Sequence, residues 1–383
     1  MDGLEGFLAR RKDAGLYRTL KTITARTQGR ITINGEEYID FASNDYLGLA
    51  QHPQLIAASK AALDRFGTGS CASRLLSGTL SLHRELEAAV ARFKHKPAAL
   101  VFNSGYQANG AIISALYGRH DAVFCDRLVH ASIIDGVALS GAKLIRFEHN
   151  NIEDLVRLLQ TKRNDFKNAL IATESIFSMD GDCADLKALA GVKSKFNCRL
   201  LVDEAHAGGV FGPTGAGLVE AQGVSEEVDL IMGTFSKAFG SFGAYLAADK
   251  TTIEYLINCA RGFIFSTSLP PSVVAASLAA VKVVQDEPLR RKSLLENAQY
   301  FRQMLREKKF NVYGDSQIVP VVIGDNFKAI ETAQALQDQG YWVMAVRPPT
   351  VPANTARLRF SLMAYHDKNL IDSLVDALCK ILK

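Results

Sequence analysis

The sequence lacks the patterns that mark several large classes of protein. Its 383 residues include six cysteines but no C-x-x-C pair, so neither a disulfide framework nor a common zinc site is indicated. No run approaches the roughly 18 uninterrupted apolar residues of a membrane span, and the first residues lack the apolar core of a signal peptide. The formal net charge is only +4, which is weak evidence for nucleic-acid binding. We therefore expect a cytoplasmic protein with reduced thiols, no metal ion, and no nucleic-acid or membrane partner.

Short motifs for nucleotide binding and hydrolysis are also missing. The chain contains no G-x-x-x-x-G-K-[ST], no G-x-G-x-x-G after an apolar run, no H-E-x-x-H and no G-x-S-x-G. P-loop, dinucleotide, zinc-protease and serine-hydrolase sites of the usual kinds are therefore not expected. What the chain does have is apolar content: 48% of its residues are hydrophobic, which is enough for a large core divided over more than one domain.

Short apolar runs alternate with helical patterns through the middle of the chain, which is typical of an α/β protein whose sheet is covered by helices on both faces. We expect seven mostly parallel strands and can place six of them, with a helix over residues 107–116. The six are residues 98–102, 122–125, 143–147, 169–173, 199–202 and 230–233.

The pattern changes near residue 286 to that of a small α+β domain. It predicts helices over 289–309 and 326–339, strands at 318–323, 342–346 and 357–362, and a last helix. We accordingly divide the chain into an N-terminal helix and hairpin (1–50), a large domain (51–285) and a small C-terminal domain (286–383). The hairpin is centred on Asn34-Gly35, a turn dipeptide.

Two of the apolar runs are followed by charged residues with complementary chemistry. Lys237 follows the run at 230–233, and Asp203 ends the run at 200–202. A lysine that loses its hydration beside a buried strand is a usable amine nucleophile. An aspartate can keep a pyridinium nitrogen protonated, and the two together are what a pyridoxal phosphate (PLP) site requires. Alone, the lysine is typical of a solvated surface and the aspartate of a helix cap, so the combination carries the hypothesis.

Other polar residues at strand ends are expected to converge on this pair, because ligands bind at the carboxyl ends of parallel strands. Ser104-Gly105-Tyr106 opens a helix, so its N–H groups can cradle a phosphate, and Thr234 and Ser236 can add hydroxyls. His130 is suited to stacking on a ring and His206 to reaching a phenolic oxygen. Further polar residues at these ends are Asn103, Asp126, Thr173, Glu174, Ser175 and Ser178.

Three arginines of the C-terminal domain, Arg347, Arg357 and Arg359, are candidates for binding a substrate carboxylate, which a guanidinium contacts through two parallel hydrogen bonds. Each of these features also has an ordinary structural interpretation. Asn-Ser-Gly is typical of a turn, a single histidine of a structural group, and Arg-Leu-Arg of a solvated strand face. Their common placement at strand ends favours the functional interpretation.

Five segments together resemble the α-oxoamine synthases, which are PLP enzymes of the aspartate-aminotransferase fold (fold type I). The segments are residues 41–49 (FASNDYLGL), 103–106 (NSGY), 174–182 (ESIFSMDGD), 202–206 (VDEAH) and 234–237 (TFSK). The resemblance extends from about residue 38 to the C-terminus. Within the family, residues 347–359 are most similar to the biotin-biosynthesis branch. That similarity implies a homodimeric acyltransferase that condenses L-alanine with pimeloyl-CoA, or a pimeloyl-carrier protein, with loss of carbon dioxide.

The resemblance also implies a role for each matching residue. Lys237 would bind PLP covalently and then act as general base, Asp203 would pair with the ring nitrogen, His206 would contact the ring oxygen, and His130 would stack on the ring. The other implied cofactor contacts are Ser104, Gly105, Tyr106, Ser178, Thr234 and Thr267. The implied substrate contacts are Arg18, Asn44, His130, Thr350 and Arg359, with Asn44 and Thr267 reaching across the dimer interface.

One segment departs from the family pattern. Cys71 and Ala72 stand where relatives often have two glycines, in a loop expected near the acyl-CoA, so acyl specificity is less determined than the fold. The alternatives are an aminotransferase, another α-oxoamine synthase such as one using glycine and acetyl-CoA, a thiolase-like enzyme with Cys71 as nucleophile, and an inactive scaffold subunit. No histidine pattern activates Cys71, and an inactive relative would be expected to lose Lys237.

Overall fold

The structure, a computed structural model, describes residues 3–382, and these form two compact units. One unit comprises the chain up to Gly48, the short segment Ser178–Cys183, and everything from Lys292 onward. The other comprises Leu49–Phe177 and Ala184–Arg291. The division into three consecutive segments remains a prediction about how the chain is organised.

The N-terminal part contains the predicted helix and hairpin. Helix α1 (Leu4–Asp13) precedes strands β1 (Ala25–Thr27), β2 (Arg30–Ile33) and β3 (Glu36–Asp40), with β2 and β3 antiparallel. Asn34 and Gly35 both have positive φ, at 52° and 87°, as a tight two-residue hairpin turn requires. Ile31 and Ile33 of β2 are buried against Trp342, which is why this hairpin has one apolar face.

The second unit is built around a seven-stranded sheet, as predicted. Its strands are β4 (Ala98–Phe102), β5 (Ala122–Asp126), β6 (Lys143–Phe147), β7 (Ala169–Glu174), β8 (Arg199–Asp203), β9 (Leu230–Thr234) and β10 (Ala244–Ala248). Their order in the sheet is β4-β10-β9-β8-β7-β5-β6. Every residue of β5, β7, β9 and β10 is buried, which explains their unbroken apolar runs.

Strand β10 is the one strand that the sequence pattern did not locate, and it is antiparallel to both of its neighbours. Its sequence, Ala-Tyr-Leu-Ala-Ala, is rich in alanine, which has low strand propensity. The other six strands therefore all run in one direction, and their carboxyl ends lie along one edge of the sheet.

Ten helices, together with a 3₁₀ turn at Arg163–Asp165, lie before, between or after these strands in the chain. They are α2 (Pro53–Phe66), α3 (Ser81–Phe93), α4 (Gly105–Leu116), α5 (Ala131–Ser140), α6 (Ile152–Lys162), α7 (Leu186–Lys195), α8 (Leu218–Ala221), α9 (Lys250–Cys259), α10 (Arg261–Ile264) and α11 (Pro271–Asp286). Side-chain caps mark many of their starts: Ser104 accepts a hydrogen bond from Gln107 N–H at α4, and Asp185 accepts one from Ala188 N–H at α7.

The C-terminal region has the predicted α+β character. Its elements are α12 (Pro288–Glu307), β11 (Ile318–Gly324), α13 (Asn326–Gln337), β12 (Tyr341–Trp342), β13 (Met344–Val346), β14 (Ala356–Ser361) and α14 (Lys368–Leu382). The predicted strand at 342–346 is in fact two strands in different sheets. Strand β12 pairs in parallel with β3 of the N-terminal hairpin, whereas β13 joins β11 and β14 in an antiparallel sheet. Between residues 3 and 382, no helix combines the length and apolar character needed to cross a bilayer.

Candidate active site

A cavity of about 200 Å³ opens at the carboxyl edge of the seven-stranded sheet, wholly within the second unit. It is formed where the segments that follow β4, β5, β7, β8 and β9 meet, as the strand directions predict. Its lining residues are Gly105, Tyr106, Asn109, His130, Ser132, Glu174, Asp203, Ala205, His206, Met232, Thr234, Ser236 and Lys237. The sequence therefore predicted both where the cavity would lie and most of the residues that line it.

Lys237 projects into this cavity from the turn that follows β9. Its Nζ lies 2.7 Å from Nε2 of His206, so the predicted nucleophile and the predicted ring-oxygen ligand are in hydrogen-bond contact. Close packing beneath the turn explains the small residue in β9: a Cβ on Gly233 would lie 2.3 Å from the hydroxyl of Tyr245. The turn closes when Gly240 N–H donates to the carbonyl of Lys237 at 2.9 Å, with Gly240 at a φ of +60°.

Asp203 ends β8 and is held by donors on both carboxylate oxygens. Ala205 N–H donates to Oδ1 and Asn109 Nδ2 donates to Oδ2, each at 2.9 Å. Each oxygen retains a lone pair, so the carboxylate can still accept from a ligand in the cavity.

Asn109 and Ser132 are two functional residues that the sequence analysis missed. The second N–H of Asn109 donates to Ser132 Oγ at 2.9 Å, and Ser132 Oγ lies 2.8 Å from Nδ1 of His130. Because Ser132 N–H also donates to that Nδ1, the ring nitrogen is the acceptor and the proton of the neutral imidazole lies on Nε2. Asn109 thus connects Asp203 to His130. It lies four residues after Gly105, on the same face of α4, a spacing that would have indicated it.

Glu174 also lines the cavity. Its position at a strand end could be seen in the sequence, but no role was assigned to it from the sequence. It is paired across β7 and β8 with Asp203 and is buried. Its carboxyl group accepts from the backbone N–H of His130, while Oε1 has no hydrogen-bond partner among residues 3–382. Burial, followed by the charge of Asp203, raises the pKa of Glu174 well above its ordinary value.

His130 lies between these groups as the N-cap of α5. Burial lowers the pKa of its imidazole; the carboxylate of Asp203 opposes that shift and the charge of Lys237 adds to it. The ring is therefore neutral at physiological pH. Tyr106 meets it edge-on, with ring centroids 6.2 Å apart, and the Tyr106 hydroxyl is bonded to the carboxylate of Asp135. The opposite face of this ring is suited to stacking on a planar ligand.

The start of α4 forms the polar end of the cavity. The N–H groups of Gly105 and Tyr106 occupy the first helical positions and so have no intrahelical acceptor. Thr234 Oγ1 donates to the Gly243 carbonyl at 2.7 Å and accepts from Ser236 N–H at 3.1 Å, which orders the turn that leads to Lys237. Unpaired amides and hydroxyls at a helix start are the groups that bind phosphate.

The implied cofactor contact Thr267 and the strand-end residue Asp126 lie elsewhere in this unit. Thr267 lines a separate small cavity with Arg74 and His83, and its carbonyl accepts from Asn103. Asp126 is buried at the end of β5, where it accepts from His149 Nδ1 at 3.0 Å and from Asn150 N–H at 2.8 Å. These contacts give Asp126 a structural role in its loop.

Apart from His130, the predicted substrate residues belong to the other unit, where the structure brings Arg359 and Asn44 together with Ser178, a predicted cofactor contact. Arg359, buried in β14, donates from Nε to the Ser178 carbonyl at 2.5 Å and from Nη2 to Asn44 Oδ1 at 3.3 Å. Its Nη1 also donates to Ser361 Oγ at 2.7 Å. Separately, Arg18 donates to Thr350 Oγ1 at 3.0 Å in an exposed contact.

The structure separates the three arginines that the sequence left equivalent. Arg357 forms an ion pair with Asp180. Arg347 donates to the carbonyl of Gly15, and burial together with nearby Arg18 and Arg11 lowers its pKa. Arg347 and Arg359 donate only to neutral partners among residues 3–382, so these two guanidinium groups, unlike Arg357, keep a charge that no carboxylate compensates. Of the two, Arg359 is the buried one, and it also contacts Asn44.

The departure at Cys71 has a backbone consequence. Cys71 is exposed and has a φ of +55°, in the left-handed region where glycine is favoured. The neighbouring Ala72 carbonyl accepts from Ser268 N–H at 3.0 Å. The loop thus keeps a backbone conformation suited to glycine although it carries side chains.

Comparisons with known proteins agree with this geometry. Residues 36–378 match the family described as aminotransferase class I and II. The chain is 48% identical over 382 residues to 8-amino-7-oxononanoate synthase from Geobacter sulfurreducens, a match that covers 99% of this chain and 97% of that protein.

Two solved structures support the same assignment. Serine palmitoyltransferase from S. paucimobilis with bound PLP–myriocin has a TM-score of 0.94 and 35% identity, and the match covers 99% of this chain and 96% of that one. The 8-amino-7-oxononanoate synthase of Francisella tularensis has a TM-score of 0.77 and 31% identity, covering 90% and 97%. The chain therefore belongs to the aminotransferase class I and II family and, within it, to the α-oxoamine synthases.

Proposed function

We propose that this protein condenses L-alanine with a pimeloyl thioester, from pimeloyl-CoA or a pimeloyl-carrier protein, to form 8-amino-7-oxononanoate for biotin biosynthesis. The observation that carries the proposal is the convergence of Lys237, His206, Asp203 and His130 on one cavity. The near-complete match to a curated 8-amino-7-oxononanoate synthase supports the choice of substrates. It leaves the thiolase-like alternative at Cys71 without support.

The residues of the cavity fit PLP as the cofactor. Lys237 offers an amine, Asp203 an ionised carboxylate with a remaining lone pair, and the start of α4 offers unpaired N–H groups. These three kinds of group match the aldehyde, the ring nitrogen and the phosphate of PLP. Thr234, Ser236, Ser104, Gly105 and Tyr106 would hold the phosphate end, His130 would stack on the ring, and His206 would contact the ring oxygen.

Lys237 performs the proton transfer in this proposal. When bound, PLP supplies the electron sink for charge that develops at the amino-acid Cα. Lys237 Nζ takes the Cα proton as general base, and the contact of 2.7 Å with His206 orients the amine. Carbon–carbon bond formation then breaks the thioester C–S bond and expels the thiolate, which takes a proton from solvent. The alanine carboxylate leaves as carbon dioxide, and the proton held on Lys237 Nζ returns to Cα.

Asp203 and its neighbours keep the charge balance of the cavity. The two N–H donors on Asp203 fix the position of its carboxylate, whose negative charge would stabilise a protonated pyridine nitrogen. His130 is neutral, so it places a flat ring over the cofactor without adding a positive charge. In the other unit, Arg359 is proposed to bind the alanine carboxylate, with Asn44, Ser178, Thr350 and Arg18 as further contacts of substrate or cofactor.

We further propose that the protein acts in the cytoplasm as a homodimer. The resemblance to the family supports both statements, and it also supports a role for Asn44 and Thr267 at the active site of the opposite subunit. Size-exclusion chromatography with light scattering tests the dimer directly, because a mass of a single 41.7 kDa chain would contradict it.

A second candidate is favoured by one observation, the higher TM-score to serine palmitoyltransferase than to the Francisella enzyme. That reaction would use L-serine and a long acyl chain. The 48% identity to the Geobacter synthase exceeds the 35% identity to the palmitoyltransferase, and side chains rather than backbone positions select the substrate, so we place alanine first.

A substrate panel separates these functions. Purified protein with PLP is incubated with L-alanine, glycine or L-serine, each combined with pimeloyl-, acetyl- or palmitoyl-CoA. Thiol release and product mass are measured for all nine combinations. We expect alanine with pimeloyl-CoA to give the highest kcat/KM. A higher value for serine with palmitoyl-CoA, or for glycine with acetyl-CoA, would overturn the substrate assignment while keeping the family.

Replacing Lys237 tests the catalytic assignment. Lys237→Ala should abolish the visible absorbance of covalently held PLP and lower turnover by at least about 10⁴-fold, because both the anchor and the base are lost. Lys250→Ala, at the exposed start of α9, is the matched control and should keep both properties. Product formation by Lys237→Ala at a near-native rate would refute the mechanism.

A further inference from the structure

A second and larger cavity, of about 700 Å³, lies in the unit that carries the seven-stranded sheet. It is bounded by three helices, α2, α3 and α11, and is separate from every residue named in the mechanism. Its lining residues are Ala58, Ala61, Ala62, Arg65, Phe66, Leu82, Ala89, Arg92, Phe93, Ala275, Leu278, Ala279, Val281, Lys282 and Gln285. Its volume falls in the range of roughly 300–1,000 Å³ that is usual for small-molecule sites.

The walls of this cavity are mostly apolar, and the exceptions are Arg65, Arg92, Lys282 and Gln285. Alanine contributes from all three helices, and the larger contributions are Leu82, Leu278, Val281, Phe66 and Phe93. Alanines on facing helices leave space where larger side chains would meet. Water in such a space has few hydrogen-bond partners, so an alkyl chain that displaces it gains free energy in proportion to the apolar area it covers.

The charged residues that line this cavity are all cations. Arg65, Arg92 and Lys282 come from three different helices, and no aspartate or glutamate is among the lining residues. Within the described part of the chain none of the three cations forms an ion pair; Arg65 stacks on the neighbouring Phe66 ring at 4.7 Å. An apolar interior with uncompensated cations complements a molecule that has an apolar chain and a negative head.

The cavity also has a continuous connection to the catalytic turn. Phe93 of its wall meets Phe239 with ring centroids 6.0 Å apart, and Phe239 meets Phe235 at 5.8 Å. Both of these phenylalanines lie within two residues of Lys237. Helix α2 in turn ends at Phe66, directly before the loop that carries Cys71. The cavity is therefore part of the same packed structure that supports the active site.

We propose that this cavity is a binding site for the alkyl chain of a free fatty carboxylate, with the carboxylate paired to Arg65, Arg92 or Lys282. A carboxylate is the matching head group because guanidinium groups bind it through two parallel hydrogen bonds. A chain of roughly ten carbons suits a pocket of this size class. The occupant is a small molecule because the apolar surface is concave and lies between helices.

Binding of decanoate to the PLP-loaded protein tests this site by isothermal titration calorimetry. Decanol and decyltrimethylammonium serve as neutral and cationic probes with the same chain. We expect decanoate to bind with a Kd below about 100 µM, decanol to bind at least about tenfold more weakly, and the cationic probe to be weaker still. No binding of decanoate, or equal binding of all three probes, would overturn the proposal.

Matched variants locate the binding. Ala61→Phe fills the cavity, whereas Ala57→Phe puts the same ring one turn earlier on α2, outside the cavity. The double variant Arg92→Gln/Lys282→Gln removes two cations, and Lys60→Gln removes one from α2 that does not line the cavity. Ala61→Phe and the double variant should each weaken decanoate at least about tenfold, and both controls should stay within about twofold of the unmodified protein.

Two results would assign decanoate to another site or this face of the protein to another partner. Decanoate affinity that survives Ala61→Phe would mean that it binds outside this cavity, for example at the acyl site. A change of oligomeric state in Ala61→Phe, measured by light scattering, together with no decanoate binding by the unmodified protein, would show that a second copy covers this face. Either result contradicts the proposed site. Because these readouts need no turnover, they are independent of the substrate panel.

Discussion

The cavity contains two neighbouring carboxyl groups on adjacent strands, and they differ in the hydrogen-bond donors that they receive. Asp203 at the end of β8 receives an N–H donor on each oxygen. Glu174, its register partner on β7, is equally buried but leaves Oε1 without a donor. Burial and then the charge of Asp203 raise the pKa of Glu174, which favours the protonated form of that group.

The two carboxyl groups differ in their supply of hydrogen-bond donors rather than in burial. Asn109 and the backbone of Ala205 hold Asp203 through both oxygens, whereas Glu174 keeps one oxygen without a donor among residues 3–382. The predictions below remove these elements in turn.

Removing the charge of Asp203 should have the largest effect. Asp203→Asn keeps the shape of the side chain, but it replaces one of the two acceptor oxygens with an amide donor and cannot stabilise a protonated ring nitrogen. We expect kcat to fall by about 10³-fold or more while PLP remains bound. Turnover with alanine and pimeloyl-CoA, together with PLP content by absorbance, measures both effects. An unchanged kcat would mean that the charge of Asp203 has no part in catalysis.

Removing one donor from Asp203 should have an intermediate effect. Asn109→Ala takes away the bond to Oδ2 of Asp203 and the bond to Ser132, so the Asp203 carboxylate and, through Ser132, the His130 ring are less firmly positioned. We expect kcat to fall by roughly 10- to 100-fold, measured as turnover with alanine and pimeloyl-CoA.

The control for this variant is Asn151→Ala. Asn151 caps α6, where it accepts from Asp154 N–H at 2.8 Å, and it contacts no residue of the cavity, so its loss should affect stability alone. A kcat of Asn109→Ala within about twofold of the unmodified value would mean that the bond to Asp203 does not position the carboxylate for catalysis.

Replacing Glu174 should have the smallest effect on turnover. Glu174→Gln keeps the size and an acceptor for His130 N–H, so kcat at neutral pH should stay within about threefold of the unmodified value. Glu174→Ala, which opens a cavity and frees that N–H, should lower it further.

The pH dependence of stability gives Glu174→Gln a sharper readout. The folded protein keeps the Glu174 proton at pH values where the unfolded chain has lost it, because the folded pKa is raised above the ordinary 4.5. The unmodified protein should therefore lose stability relative to Glu174→Gln as pH rises above that value. Urea unfolding of both proteins at pH 5 and pH 8 measures the gap; a gap that does not grow with pH would contradict a protonated Glu174.

The comparison also shows how far sequence reasoning reaches. The positions of six strands and the convergence of Lys237, Asp203, His206 and His130 could be predicted, because buried parallel strands leave apolar runs and their ends meet. The spacing of Asn109 from Gly105 places it on the same face of α4, but its hydrogen bond to Asp203 could not be predicted, because that contact is set by three-dimensional packing. For the same reason the sequence could not choose Arg359 over Arg357 before the Asp180 ion pair was seen.

Two features of the fold were hidden for local reasons. Strand β10 is formed by small residues whose burial between β4 and β9 outweighs their weak strand propensity. The run at 342–346 is continuous in pattern, but its two halves pair with different partners, β3 and β14. The pattern of apolar residues shows that both halves of the run are buried, but it does not show which strand each half pairs with.

The pairing of β12 with β3 bears on the order in which the chain acquires structure during its synthesis. Ile39 pairs with Tyr341, a separation of 341 − 39 = 302 residues. At roughly 5–20 residues per second, the ribosome needs about 15–60 s between the two strands. The hairpin of β2 and β3 therefore emerges long before β12, the strand that completes its four-stranded sheet, exists. The seven-stranded sheet, whose strands lie between residues 98 and 248, is complete earlier and can form while the N-terminal strands still await their partner.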